Sequence, residues 1–161
     1  MTIGRGLGWL ICAAAIAAEP AKELMPLDWL TRGVWTAETK PAEGAALKIE
    51  SEIRWMANQH AIQFVTRFNG EPHYSGIYGW DPGRKTIAFW YTSADGALTT
   101  GTAKPAAEGL LQEFDITEAN GTSNHLRSEI RRKGGDEYDW NVQSNKSGEW
   151  KVLIQLHYTR R

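Results

Sequence analysis

From residue 47 onward the chain alternates between apolar and polar side chains. Leu47, Ile49, Ile53 and Trp55 fall on one side of a two-residue period, with Lys48, Glu50, Glu52 and Arg54 on the other. Ile62, Phe64 and Phe68 oppose Gln63 and Arg67, and Leu110, Phe114 and Ile116 oppose Glu113 and Asp115. Tyr138, Trp140 and Val142 oppose Asp139, Asn141 and Gln143. Trp150, Val152, Ile154, Leu156 and Tyr158 oppose Lys151, Gln155 and His157. One apolar and one wet face per segment is what antiparallel strands present. Residues 87–91 are apolar on both faces, which predicts either an outer cover or exposed outer aromatics.

The punctuation between these segments is regular. Turn signals fall at Gly44, Asn69-Gly70, Asp81-Pro82-Gly83, Asp95-Gly96, Glu108-Gly109, Asn120-Gly121, Gly134-Gly135 and Ser147-Gly148. Short strands between evenly spaced turns indicate an all-β fold, with about ten strands joined by hairpins. Sequential hairpins make an up-and-down antiparallel meander, and closing it into a barrel removes its edges. Only one short helix is expected, over residues 27–31, with Pro26 suited to its first turn and Gly33 ending it. Residues 19–26 are polar and alanine-rich and read as a loosely held arm; 27–161 read as one domain.

The first eighteen residues belong to a different pattern. Arg5 precedes an uncharged apolar run over 7–18 that ends in small residues, with Ala15 and Ala17 placed for cleavage. That is the layout of a secretory signal, and the run is shorter than the ~20 apolar residues a membrane-spanning helix needs. The expected product is exported, periplasmic or secreted. Ile11 stands where a lipoprotein signal needs a small residue before Cys12. Cys12 is the only cysteine, so the processed chain has no disulfide, thiolate metal site or cysteine nucleophile.

Charge is nearly balanced, with 18 Lys and Arg against 19 Asp and Glu. Arg131-Arg132-Lys133 and Arg160-Arg161 are short runs, and no clustered basic patch argues for nucleic acid. The outlier is eight tryptophans, which either fill a core or line a cavity.

Leu27-Asp28-Trp29-Leu30 followed by Gly33-Val34-Trp35 resembles the opening of the lipocalins and fatty-acid-binding proteins, with their Gly-x-Trp on the first strand. More specifically, the chain resembles the bacterial DUF1579 family of lipocalin-like (calycin-type) proteins. The likeness rests on Gly76-Ile77-Tyr78-Gly79-Trp80-Asp81-Pro82, on Phe89-Trp90-Tyr91 and on the ending Leu156-His157-Tyr158-Thr159-Arg160-Arg161. It implies a closed barrel with an internal cavity. It also implies that a terminal arginine, here Arg160, packs over the first-strand Trp35 as a barrel closure. The chain departs from the family where an Asp is expected soon after Trp90; the acid arrives only at Asp95.

Trp35, Trp55, Phe64, Tyr78, Trp90 and Trp140 are the aromatics assigned to a ligand cavity, and the alternative is that they interdigitate into a dry core. His60, His73, His125 and His157 do not cluster, so no metal site is assigned. The nitrobindins, ten-stranded haem-binding relatives of these barrels, use one His as axial ligand. His157 alternates with the outward set, so haem is disfavoured and no cofactor is assigned. No Gly-x-Ser-x-Gly, phosphate loop or His-Glu-x-x-His occurs, and no catalytic residue is assigned. The leading expectation is a barrel that binds a small hydrophobic molecule. A small isomerase or cyclase using the same cavity, and a filled barrel acting on a partner through its surface, are the alternatives.

Overall fold

A computed structural model describes residues 18–39, 45–145 and 148–161. The expected signal segment therefore lies outside the described residues, except for Ala18. Ten antiparallel strands close into one barrel in which each strand pairs with its sequence neighbours and the first pairs with the last. They are β1 (Val34–Thr39), β2 (Leu47–Trp55), β3 (Ala61–Phe68), β4 (Glu71–Asp81) and β5 (Thr86–Ser93). The second half comprises β6 (Leu98–Ala106), β7 (Gly109–Thr117), β8 (Ser123–Arg132), β9 (Glu137–Ser144) and β10 (Lys151–Arg160). Among the described residues, no helix is long and apolar enough to cross a membrane.

The one helix among the described residues differs from the expectation in length and in kind. It runs over Lys22–Thr31 as a 3₁₀ helix with Pro26 inside it. Leu24, Leu27 and Leu30 recur every third residue, and all three are buried. A 3₁₀ helix has three residues per turn, so this spacing stacks the leucines on one face. Such helices are short unless something holds them; here the leucine face is seated in the hydrophobic core of the barrel. The presumed arm thus contributes a core residue, Leu24. The polar lead shortens to a few residues, and Ala21 is itself tied by its N–H to the carbonyl of Gln59, 2.8 Å away.

Gly33 turns the chain from this helix into β1 with a φ of +86°, where a side chain is strained. A Cβ there would also lie 3.1 Å from the Arg160 side chain, which crosses the junction. Gly101 serves packing instead. It pairs with Phe89 on β5 and with Phe114 on β7, and the two phenyl rings meet at 6.0 Å. An added Cβ would sit 2.5 Å from the Cβ of Phe114.

The strand alternation holds, with one correction on β10. Val152 pairs with Gln143 and Ile154 with Val142, so Leu153 is an extra residue bulged between them. A bulge shifts every residue before it to the other face. Trp150 and Val152, expected inside, therefore lie outside. Trp150 sits under the guanidinium of Arg127, 4.3 Å from the ring centroid.

Candidate functional site

Because successive strands run in opposite directions, the fold has two distinct ends. One carries the 3₁₀ helix, the start of β1 and the end of β10. There Trp35 is fully buried, its indole N–H donates to the Leu30 carbonyl at 2.8 Å, and its ring meets Trp29 at 5.8 Å and Tyr138 at 4.8 Å. The Arg160 guanidinium lies 4.6 Å from the Trp35 ring centroid and donates to the Gly135 carbonyl at 2.6 Å. Trp35 and Arg160 thus sit together at the closed end, and Trp35 lies under the cavity rather than on its wall.

Above this floor the barrel is hollow, with a cavity of about 400 Å³. Its wall runs from Leu30 at the helix to Phe68 and Ile116 at the opposite end. Of the aromatics assigned from sequence, Phe64, Tyr78 and Trp140 line it. Trp55 does not: its indole N–H donates to Asp28 at 2.9 Å and fastens the helix to β2. That hydrogen bond, followed by the Arg32 guanidinium, holds the Asp28 carboxyl below its ordinary range against the opposing effect of burial. Trp90 is also corrected. Its neighbours Phe89 and Tyr91 point inward and Trp90 points outward, 48 % exposed, at a shallow outer hollow with Thr100, Asp115 and His125. The strand apolar on both faces therefore leaves its outer aromatic exposed.

Several wall residues were not singled out from sequence. Tyr74, Tyr91, Tyr138 and Tyr158 join Tyr78 on the wall, and Gln112 adds to its polar part together with Thr39, Ser51 and Thr66. Gln112 sits on the inward face of β7 between Leu110 and Phe114, so the alternation itself marks it; buried polar residues are simply easy to overlook in an apolar series. Its amide donates to the Tyr78 hydroxyl at 3.0 Å and accepts from Ser128 at 2.7 Å. Ser51 and Thr66 bond to each other at 2.8 Å.

The wall carries no charged side chain among the described residues. Burial pushes the Tyr74 phenol up to about 12, and burial likewise raises Tyr78, Tyr91, Tyr138 and Tyr158. All five are neutral at physiological pH. The imidazoles of His125 and His157 lie outside the cavity, bonded to Asp115 at 2.9 Å and Asp139 at 2.8 Å. The late acid, Asp95, is bonded to Ser93 in the β5–β6 turn and takes no part in the wall. Among the described residues, no group of three or more His, Cys, Asp or Glu side chains is arranged to hold a metal ion.

The cavity opens sideways at the closing seam. The β1–β10 ladder comprises Trp35 with Arg160 and Thr36 with Thr159, and stops there. Past that point Leu153 and Ile154 line the cavity yet are 55 % and 43 % exposed.

No family model matches the chain, and no curated protein does. Among solved structures, the crystal structure of Rv2717c from M. tuberculosis is similar, with a TM-score of 0.56 and 16 % sequence identity. The match covers 89 % of this chain and 99 % of that one, so the two share a fold over almost their whole length.

Proposed function

We propose that this protein is an exported, lipocalin-like carrier, related to the DUF1579 proteins, that binds a small and mainly apolar molecule inside its barrel. One observation carries the reading: a cavity of about 400 Å³ walled by aliphatic and aromatic side chains, a few hydroxyl and amide groups, and no charge among the described residues. Small-molecule sites are concave, mostly apolar and marked by a few placed polar groups. Each 100 Å² of apolar ligand surface removed from water is worth about 2.5 kcal/mol before the costs of association. The exposed aliphatics at the β1–β10 seam suit a route of entry. An isomerase in the same cavity would need a group that takes a proton, and the wall offers phenols held protonated.

Native mass spectrometry of the protein, purified without detergent from the cells that make it, tests the reading. The expected result is an added mass that leaves on denaturation. Ile116→Trp, which fills part of the cavity, should remove it while leaving the circular dichroism unchanged. An added mass that persists in this variant places the molecule elsewhere. A protein that neither retains nor takes up any apolar compound ends the carrier reading. N-terminal sequencing of the same sample checks export, and an intact Met1 would rule it out.

A further inference from the structure

The polar groups of the cavity are unequal in kind, and the imbalance narrows the ligand class. This step rests on the carrier reading. Follow the hydrogen bonds from β8 inward: Ser128 donates to the Gln112 carbonyl oxygen, and the Gln112 amide donates to the Tyr78 hydroxyl. The chain ends on an oxygen that is already accepting, so the Tyr78 O–H proton remains to be donated. Among the described residues no acceptor takes it.

Tyr138 shows the same condition more plainly. Its side chain is on the cavity wall and the residue is only 5 % exposed, yet no hydrogen bond from the described residues reaches its hydroxyl. Its ring is fixed on three sides, stacked on Tyr158 at 4.7 Å and packed edge-on against Trp29 and Trp35 at 5.7 and 4.8 Å. An O–H proton with no acceptor inside a fold costs stability, so a cavity faced by two of them, on Tyr78 and Tyr138, suits a ligand that accepts. Neither ring can swing away to find a partner of its own, since Tyr78 is likewise packed against Phe64 and Phe89 at 5.6 and 5.4 Å.

The rest of the wall limits what the acceptor is. It contains no lysine, arginine or histidine among the described residues. A carboxylate brought to this depth would leave its hydration behind and meet no cation, and burying an unpaired charge is far costlier than burying a neutral oxygen. A ketone, aldehyde or ester oxygen accepts from two O–H groups without that cost. At roughly 30 Å³ for each water-sized group, the cavity holds about a dozen non-hydrogen atoms, enough for a carbonyl group with a medium-length hydrocarbon.

We propose that the buried end of the ligand is a neutral carbonyl, held between the hydroxyls of Tyr78 and Tyr138, with its hydrocarbon directed towards Phe68 and Ile116. The site discriminates against carboxylates carried on the same hydrocarbon.

The test is the thermal unfolding of the mature protein at pH 8, followed by circular dichroism, against a matched series: methyl nonyl ketone, methyl decanoate, decanoate and undecane. Ligand that binds only the folded state raises the midpoint with concentration, which yields an affinity. The ketone and the ester should bind at least tenfold more tightly than decanoate. Tyr138→Phe keeps the ring and removes the hydroxyl, and should weaken the ketone about 5- to 10-fold, the scale of one neutral hydrogen bond, while leaving undecane unchanged. Tyr78→Phe should act alike and guards against one variant failing to fold. Decanoate binding as well as the ketone, or ketone affinity unmoved in both variants, overturns the carbonyl assignment and leaves the carrier reading standing. A series in which no member, undecane included, shifts the midpoint overturns both.

Discussion

At the helix end of the barrel, Trp35 is enclosed by Trp29, Tyr138, Leu30 and the Arg160 guanidinium, with three leucines of the 3₁₀ helix wedged beside it. At the other end the fastenings are on the surface. Trp150 lies under Arg127 and against His125, and His125 in turn bridges Glu113 and Asp115. The first end is held chiefly by apolar burial, with the Asp28–Trp55 hydrogen bond and the Arg160 guanidinium at its rim. The second is held by exposed ion pairs, each worth at most about 1 kcal/mol. The strands at this second end remain joined by the β7–β8 and β8–β9 ladders, so the short ladder is the one between β1 and β10, where two residue pairs close the barrel.

The largest expected effect breaks the closed end. Trp35→Ala should cost about 3–5 kcal/mol, because it removes a fully buried indole whose neighbours are fixed in strands, and chemical denaturation measures it directly. A loss under 1.5 kcal/mol would mean that the helix, not the tryptophan, holds the floor. Leu24→Ala separates the two, and should itself cost about 2–5 kcal/mol if the helix is as firmly seated as its buried leucines indicate.

Overpacking sharpens the contrast within the barrel. Gly101→Val puts a side chain between Phe89 and Phe114, where even a Cβ meets its neighbour at 2.5 Å, and should destabilise by about 1–3 kcal/mol. Ile116→Phe adds volume to the wall of the hollow region and should shift the unfolding midpoint by less than the measurement resolves. Equal losses at the two sites would show that the cavity behaves as a filled core.

Much of this architecture could be read before any coordinates. Alternation over β2, β3, β7 and β9 fixed which residues face in, and the Asn-Gly and Asp-Gly signals marked the hairpins. The errors have physical causes. Residues 22–25 looked like a loose arm because Leu24, Leu27 and Leu30 repeat every three residues, whereas helices are ordinarily sought at 3.6; the proline between them looked like a start. Trp150 and Val152 were turned outward by a bulge at Leu153, and the contiguous run Val152-Leu153-Ile154 is compatible with either phase of the alternation. Trp90 sits between two inward aromatics in Phe89-Trp90-Tyr91, so composition favoured placing all three inside while the pleat allows only two. Trp55 does face inward but is taken up by Asp28, a contact across 27 residues that no local pattern reveals. Tyr78, Tyr138 and Tyr158 were visible as inward positions, whereas Tyr74 and Tyr91 were not; which partner each hydroxyl has is a property of the folded wall alone.

At the seam the expected stability effect is smaller and the functional one larger. Leu153→Glu replaces an exposed aliphatic that borders the opening, so stability should change by less than about 0.5 kcal/mol. Uptake of methyl nonyl ketone should slow several-fold, since a charge then stands beside an apolar path; stopped-flow fluorescence of the cavity tyrosines follows it. Unchanged uptake would move the entrance away from the β1–β10 seam.

The smallest effect concerns the surface clasp itself, and its sign can be worked out. The hydrogen bond to Asp115, aided by that to Glu113, raises the His125 imidazole above its ordinary value of 6.5, against the opposing effect of burial. The folded protein therefore holds this proton more tightly than the unfolded chain does. Linkage then requires that the contribution be complete below pH 6.5 and fade as pH climbs through the raised value. His125→Gln removes the titration, so the stability gap between wild type and variant should be widest near pH 6 and narrow as pH rises past the raised value. Half-exposed, the pair should contribute well under 1 kcal/mol, and less in high salt. Trp35→Ala should show no such pH dependence in its stability gap across the same range. If it does, the two ends are coupled through the sheet, and the distinction between an apolar floor and an ionic clasp fails.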